Sequence, residues 1–202
     1  MKTARFQPSA LALAIAMLAT KPMAAEDFGP DATASTLRDI VPSSNSIKGF
    51  DITPLPEASF AVAWTESIID IDKPRDRLLL QVFDSEGEPI SEVLTLSATE
   101  LNKSQLLGIP AIASDANGNL IIAWEVFNEP PAELCAARGS NIKAFGVTPP
   151  YDPTNLVSVT PVFPGLNPCV VDVVMDNDGD FALSWSNKVD GHFEHKVETY
   201  SG

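Results

Sequence analysis

Three stretches of the chain share one pattern of apolar and polar positions. Asp51 to Trp64 reads DITPLPEASFAVAW, Ala111 to Trp124 reads AIASDANGNLIIAW, and Val171 to Trp185 reads VDVVMDNDGDFALSW. In each, an apolar strand runs into a turn, and a second apolar strand leads to Ala or Ser followed by Trp. The turns DANGN and DNDGD carry Asn, Asp and Gly, residues that tolerate the positive φ of a tight connection. The three tryptophans are spaced by 60 and 61 residues. Self-similarity at a fixed period marks a repeat architecture.

The remainder of the unit recurs as well. After Trp64 a polar loop leads to LLLQVFDSEGEPI (Leu78 to Ile90), which turns at Ser85-Glu86-Gly87, and then to EVLTLS (Glu92 to Ser97). After Trp124 a longer loop leads to NIKAFGV (Asn141 to Val147) and NLVSVT (Asn155 to Thr160). Each unit thus predicts four short strands, A to D, and helical signals are nearly absent. The expected fold is all-β: a β-propeller-like array of about three four-stranded blades. A sandwich of about 12 strands is the alternative. The expected boundaries are 47–108 for the first blade, 109–168 for the second and 169–202 for an incomplete third, which stops after the C-type strand HKVETYSG. In the preceding segment, 26–46, TLRDIV (Thr36 to Val41) stands where a D strand would complete a ring.

Three blades are fewer than the usual range of about four to eight, and an open array exposes strand edges that pair with other chains. Two partners are therefore expected: further blades of a longer chain, which ending in mid-blade favours, or a homo-oligomer such as two chains making six blades. The repeat resembles exported bacterial proteins with propeller-type blades that read D-x-x-G-x-apolar…W, then apolar…D-x-x-G-x-P. The matching residues are Asp115, Gly118 and Trp124, then Asp84, Gly87 and Pro89, and the likeness runs from about Ile47 to Gly202. It bears on fold, since such blades serve unrelated functions.

Composition adds the compartment. Residues 1–25 read as a signal peptide: Lys2 and Arg5, a ten-residue apolar run from Ala10 to Ala19, and small residues up to Ala24-Ala25. That run is too short to span a bilayer of about 30 Å, so the chain is expected to be exported, periplasmic or extracellular, without membrane insertion. Removing Lys2, Arg5 and Lys21 leaves 10 of the 13 basic residues against 27 acidic ones, a net charge of 10 − 27 = −17. Such a surface opposes nucleic acid, whose recognition rests on neutralising phosphates.

Candidate chemistry is sparse. Cys135 and Cys169, an even pair in an exported protein, are expected to form a disulfide. Closing that loop would contribute about 3–4 kcal/mol on the chain-entropy estimate. Asp176, Asp178 and Asp180 alternate carboxylates around a glycine, a pattern calcium accepts, although a plain hairpin turn explains it too. No other cofactor is indicated. His192 and His195 are spaced H-x-x-H with no third zinc ligand at a familiar spacing. A sialidase-type Asp-box fails at Ser114-Asp115, and no nucleophile elbow or phosphate-cradling loop is present, so no catalytic residue is assigned. Loops on a rigid scaffold carry recognition. The B–C and D–A loops are expected to form one ligand face bearing Arg75, Arg77, Arg138, Tyr151 and His192. The expected function is binding or scaffolding of a protein or glycan outside the cytoplasm. The alternative is a fragment of an exported hydrolase, sialidase-like or otherwise, whose catalytic residues lie outside this chain.

Overall fold

Twelve strands carry the described residues of the computed structural model, which are 45–68, 75–98, 106–127, 141–159, 168–189 and 192–201. The expected signal peptide and ring-closing strand lie outside them, as do Cys135 and Arg138. The first sheet runs β1 (Ser46–Pro54), β2 (Phe60–Ile68), β3 (Arg75–Phe83), β4 (Leu94–Ala98), all antiparallel. The second has β7 (Leu120–Phe127) paired with both β5 (Leu106–Leu107) and β6 (Ala111–Ser114), then β8 (Asn141–Val147) and β9 (Leu156–Val159). The third consists of β10 (Pro168–Met175), β11 (Phe181–Val189) and β12 (His192–Tyr200). The chain is all-β and propeller-like, with the A-B-C-D order expected from the repeat.

Two boundaries move. Leu106 and Leu107 pair with Phe127 and Val126, so they open the second sheet and do not close the first. The second sheet's inner strand is split at Gly108-Ile109-Pro110, because proline has no N–H to give the ladder. Pro168 likewise opens the third sheet. The other inner strands shift register nearby, between Ile47 and Gly49 and between Cys169 and Val171.

The tryptophans show why the sheets stack. Residues alternate faces along a strand, so β2 puts Ala61 and Ala63 on one face and Val62 and Trp64 on the other. The alanine face, with Leu78, Leu80 and Val82, packs against Ile122, Trp124 and Val126 of the second sheet. The second sheet's opposite face, with Ile121, Ala123 and Ile142, packs against Val171, Leu183 and Trp185. Trp124 and Trp185 therefore each face the preceding sheet, and small side chains opposite leave room for the rings. Trp64 looks the other way, in a separate cluster with Val62, Leu79 and Phe83.

Polar side chains clasp neighbouring sheets at their inner strands. Thr65 Oγ1 donates to the Gly108 carbonyl at 2.7 Å, and Glu125 Oε1 accepts the Val171 amide at 3.1 Å. Both residues directly follow their sheet's tryptophan, and both are buried. Asp51 Oδ2 accepts the Ile112 amide at 2.9 Å.

Candidate functional site

The two ends of the sheets are built differently. At one end three of the connections carry turns that satisfy themselves. Asp84 Oδ1 accepts the amides of Glu86 and Glu88 at 3.0 and 2.8 Å. Asp115 Oδ1 accepts those of Asn117 and Asn119, both at 2.8 Å. Asp176 Oδ1 accepts those of Asp178 and Asp180 at 2.9 and 3.0 Å. Each turn has glycine in its fourth position, at φ +81° for Gly87, +81° for Gly118 and +93° for Gly179. The D-x-x-G signature is therefore a turn device: carboxylate for two amides, glycine for the left-handed residue.

This corrects the calcium reading. Asp176 spends one carboxylate oxygen on its own turn, as Asp115 does in a turn without alternating acids. Among the described residues no group of three His, Cys, Asp or Glu is placed to hold a metal.

Tyr151 also belongs to this end, which separates it from the arginines with which it was grouped. It lies in the β8–β9 connection, and antiparallel order returns that connection to the side of the β6–β7 turn. Its Oη donates to the Gly118 carbonyl at 2.9 Å. A Cβ at Gly118 would come within 2.8 Å of that same oxygen, whereas one at Gly87 meets nothing within 4 Å. Gly87→Ala is expected to cost about 1 kcal/mol from backbone strain alone, and Gly118→Ala about 2–3 kcal/mol. Urea melts of the two variants would measure the difference.

Both tyrosines titrate high. Burial, then the Asp115 carboxylate, raises the Tyr151 phenol above its usual value. Burial, then Glu198, pushes Tyr200 up to about 12, and its ring stacks on Phe181 with centroids 4.6 Å apart. The unfolded phenols ionise near 10 while the folded ones keep their protons, so stability is complete below about pH 10 and falls as pH rises towards 12. Thermal melts across this range, with absorbance at the phenolate band, are expected to show unfolding and ionisation advancing together.

At the opposite end, where β2, β4, β7, β9 and β11 finish, charged groups gather. Asp76 is fully buried. It accepts Lys48 Nζ at 2.5 Å, Ser67 Oγ at 2.5 Å and the Leu107 amide of the second sheet at 2.8 Å. Glu66, 2 % exposed, accepts Arg77 Nε at 3.0 Å and Asn45 Nδ2 at 3.1 Å. Arg77 Nη2 also pairs with Glu66. Residues 66 and 77 stand opposite each other in the β2–β3 ladder. Arg75 begins β3 and His192 begins β12, so both lie at this end, together with Asn187, which is 2 % exposed with neither amide atom hydrogen-bonded. Sequence reasoning missed Lys48, Glu66 and Asp76, whose partners are set by how the strands pair, and the buried Asn187.

The histidines are strand residues and not parts of a loop. His192 pairs with Val189 and His195 with Ser186, and His195 Nδ1 lies 2.8 Å from Ser186 Oγ. Three positions apart on a strand, they point to opposite faces, so the pair cannot close on one ion. Cys169 sits in β10; its expected bridge involves Cys135, outside the described residues.

No family model matches the chain, and no curated protein does. Among solved structures it is similar to an endo-arabinase from Bacteroides thetaiotaomicron, with TM-score 0.52 and 12% identity over 79% of this chain and 58% of that one. Weaker likenesses are to the polysaccharide lyase Uly1 (TM-score 0.41, 10% identity, 75% of this chain and 40% of that one) and to MPT-4, a mannose phosphorylase from Leishmania mexicana (TM-score 0.44, 13% identity, 78% and 45%). At this identity the arabinase likeness is one of fold. The chain spans less than two thirds of the length of each.

Proposed function

We propose that the stacked sheets form a binding or scaffolding module outside the cytoplasm, whose ligand meets the end carrying Arg75, Arg77 and His192. The observation that carries this reading is the asymmetry of the two ends. One is closed by turns whose hydrogen bonds are internal. The other has a buried amide at Asn187 without hydrogen bonds and the ionic groups Lys48, Glu66, Asp76 and Arg77.

A glycan is the ligand class to test first, because the arabinase is a carbohydrate-active enzyme. An oligosaccharide array that includes arabinan fragments, followed by calorimetry, is expected to find a ligand. His192→Ala and Arg75→Ala are each expected to weaken its binding about tenfold, about 1.4 kcal/mol. Arg77 is unsuited to this test, since its removal would leave buried Glu66 without its guanidinium. A ligand whose affinity is untouched by both variants would overturn the assignment of the site. The second reading, part of an exported hydrolase, rests on the chain spanning 58% of the arabinase. A longer chain that releases new reducing ends from an array hit, where this chain only binds it, would favour that reading.

A further inference from the structure

The repeat assigns a task to each face of the third sheet. One face, with Val171, Leu183 and Trp185, packs on the second sheet. The other corresponds, position by position, to the face by which the first sheet grips the second. Asp172 pairs with Ser184 as Asp51 pairs with Ala63, and Ser184 pairs with Val197 as Ala63 pairs with Leu80. Leu80 is 0% exposed beneath the second sheet, whereas Val197 is 49% exposed. Val174 and Phe193 are also open, at 48% and 54%.

The polar clasps are repeated with the apolar surface. Asp51 Oδ1 takes the amide of its own Ile52 at 2.9 Å, and its Oδ2 takes Ile112 of the next sheet at 2.9 Å. Asp172 Oδ1 takes the amide of its own Val173 at 2.9 Å, the first half of the same arrangement, in an exposed position. Ser186 follows Trp185 as Thr65 follows Trp64 and Glu125 follows Trp124. Those two reach across to the following sheet, and Ser186 bonds His195 within its own.

We propose that this face of the third sheet receives a second copy of the chain, through the inner-strand side of that copy's first sheet. On the first sheet the face that would precede it is the tryptophan face, the one that meets the preceding sheet in the other two. There Trp64 is covered, while Phe50 and Ile52 of β1 are 65% and 50% exposed. They pair with Trp64 and Val62 and so lie on that face. The contact would extend the array through β1, beside the buried Trp64 cluster. It is head-to-tail, and two copies joined at both such contacts would close a ring of six sheets, within the usual range of about four to eight.

Light scattering coupled to size exclusion, on the full chain, tests this. The expected mass is twice that of one chain. Val197→Glu and Phe50→Glu are each expected to give folded monomers whose melts no longer depend on protein concentration, because both side chains are exposed in the single chain. Mixing the two variants is expected to restore dimers, since one contact then joins an intact third-sheet face to an intact first-sheet face. A wild-type monomer at all concentrations would overturn the proposal, leaving a blade of a longer chain as the occupant. A dimer unchanged by both substitutions would overturn it too, as would variants that fail to complement, the mark of a self-complementary contact.

Discussion

Trp124→Ala is expected to cost about 3–5 kcal/mol and to lower the melting temperature on the order of 10 °C. Trp124 is 0% exposed, packs among both Ala61 and Ala63 of the first sheet and Ile122 of its own, and stacks on Phe145 with centroids 5.5 Å apart. Its truncation opens a cavity between two rigid sheets, neither of which can collapse into the space. The indole N–H is buried with no hydrogen bond, so the loss is one of packing alone. Trp124→Phe should accordingly cost no more than about 1.5 kcal/mol, since it removes an unsatisfied donor along with the area. Urea melts of the two variants decide the matter. A loss under about 1 kcal/mol for the alanine variant would mean that the stacking between the first two sheets does not carry stability.

Asp76→Ala is expected to cost about 3 kcal/mol, by a different route. Its carboxylate is fully buried and joins three donors, one of them the Leu107 amide of the second sheet. Truncation leaves that amide and the Ser67 hydroxyl without their acceptor. Lys48 retains 31 % side-chain exposure and recovers water, which keeps the loss below that of a fully enclosed pair. Asp76→Asn keeps an acceptor oxygen and is expected to lose about half as much. A double-mutant cycle between Lys48→Ala and Asp76→Ala would separate the ion pair from the two neutral hydrogen bonds. Equal losses for the asparagine and alanine variants would show that charge, and not hydrogen bonding to Leu107, holds this junction.

What could be read from the chain was whatever depends on local chemistry. The D-x-x-G turns at Asp84, Asp115 and Asp176 were legible because a left-handed residue calls for glycine and two free amides call for a nearby carboxylate. The turn Leu55–Ser59 makes a similar bend without that signature. Glu57 and Ala58 take φ of 61° and 59° there, and Leu55 stands where the other turns have aspartate, so only the repeat marked it as a turn. Tertiary pairing was legible only in outline. Tyr151 was grouped with Arg75 and Arg77 although strand direction carries it to the other end. His192 and His195 were read in a loop, whereas they occupy positions on opposite faces of β12. Glu66 and Arg77 become partners only when the β2–β3 register is known. Leu106 and Leu107, a two-residue strand cut off by Pro110, were too short to show which sheet they join.

The clasps that follow Trp64 and Trp124 have a consequence for how the protein breathes. Every sheet is tied to the next one only, so opening should proceed from the ends of the stack inward, as in a linear chain of coupled units. Backbone amides of β7 and β8, held between neighbours on both faces, are expected to exchange with solvent deuterium last. Those of β12, whose side chains are mostly exposed, should exchange first. A partner seated on the third sheet would slow exchange there without touching β7, turning the order of deuterium uptake into a direct record of what lies beside each sheet.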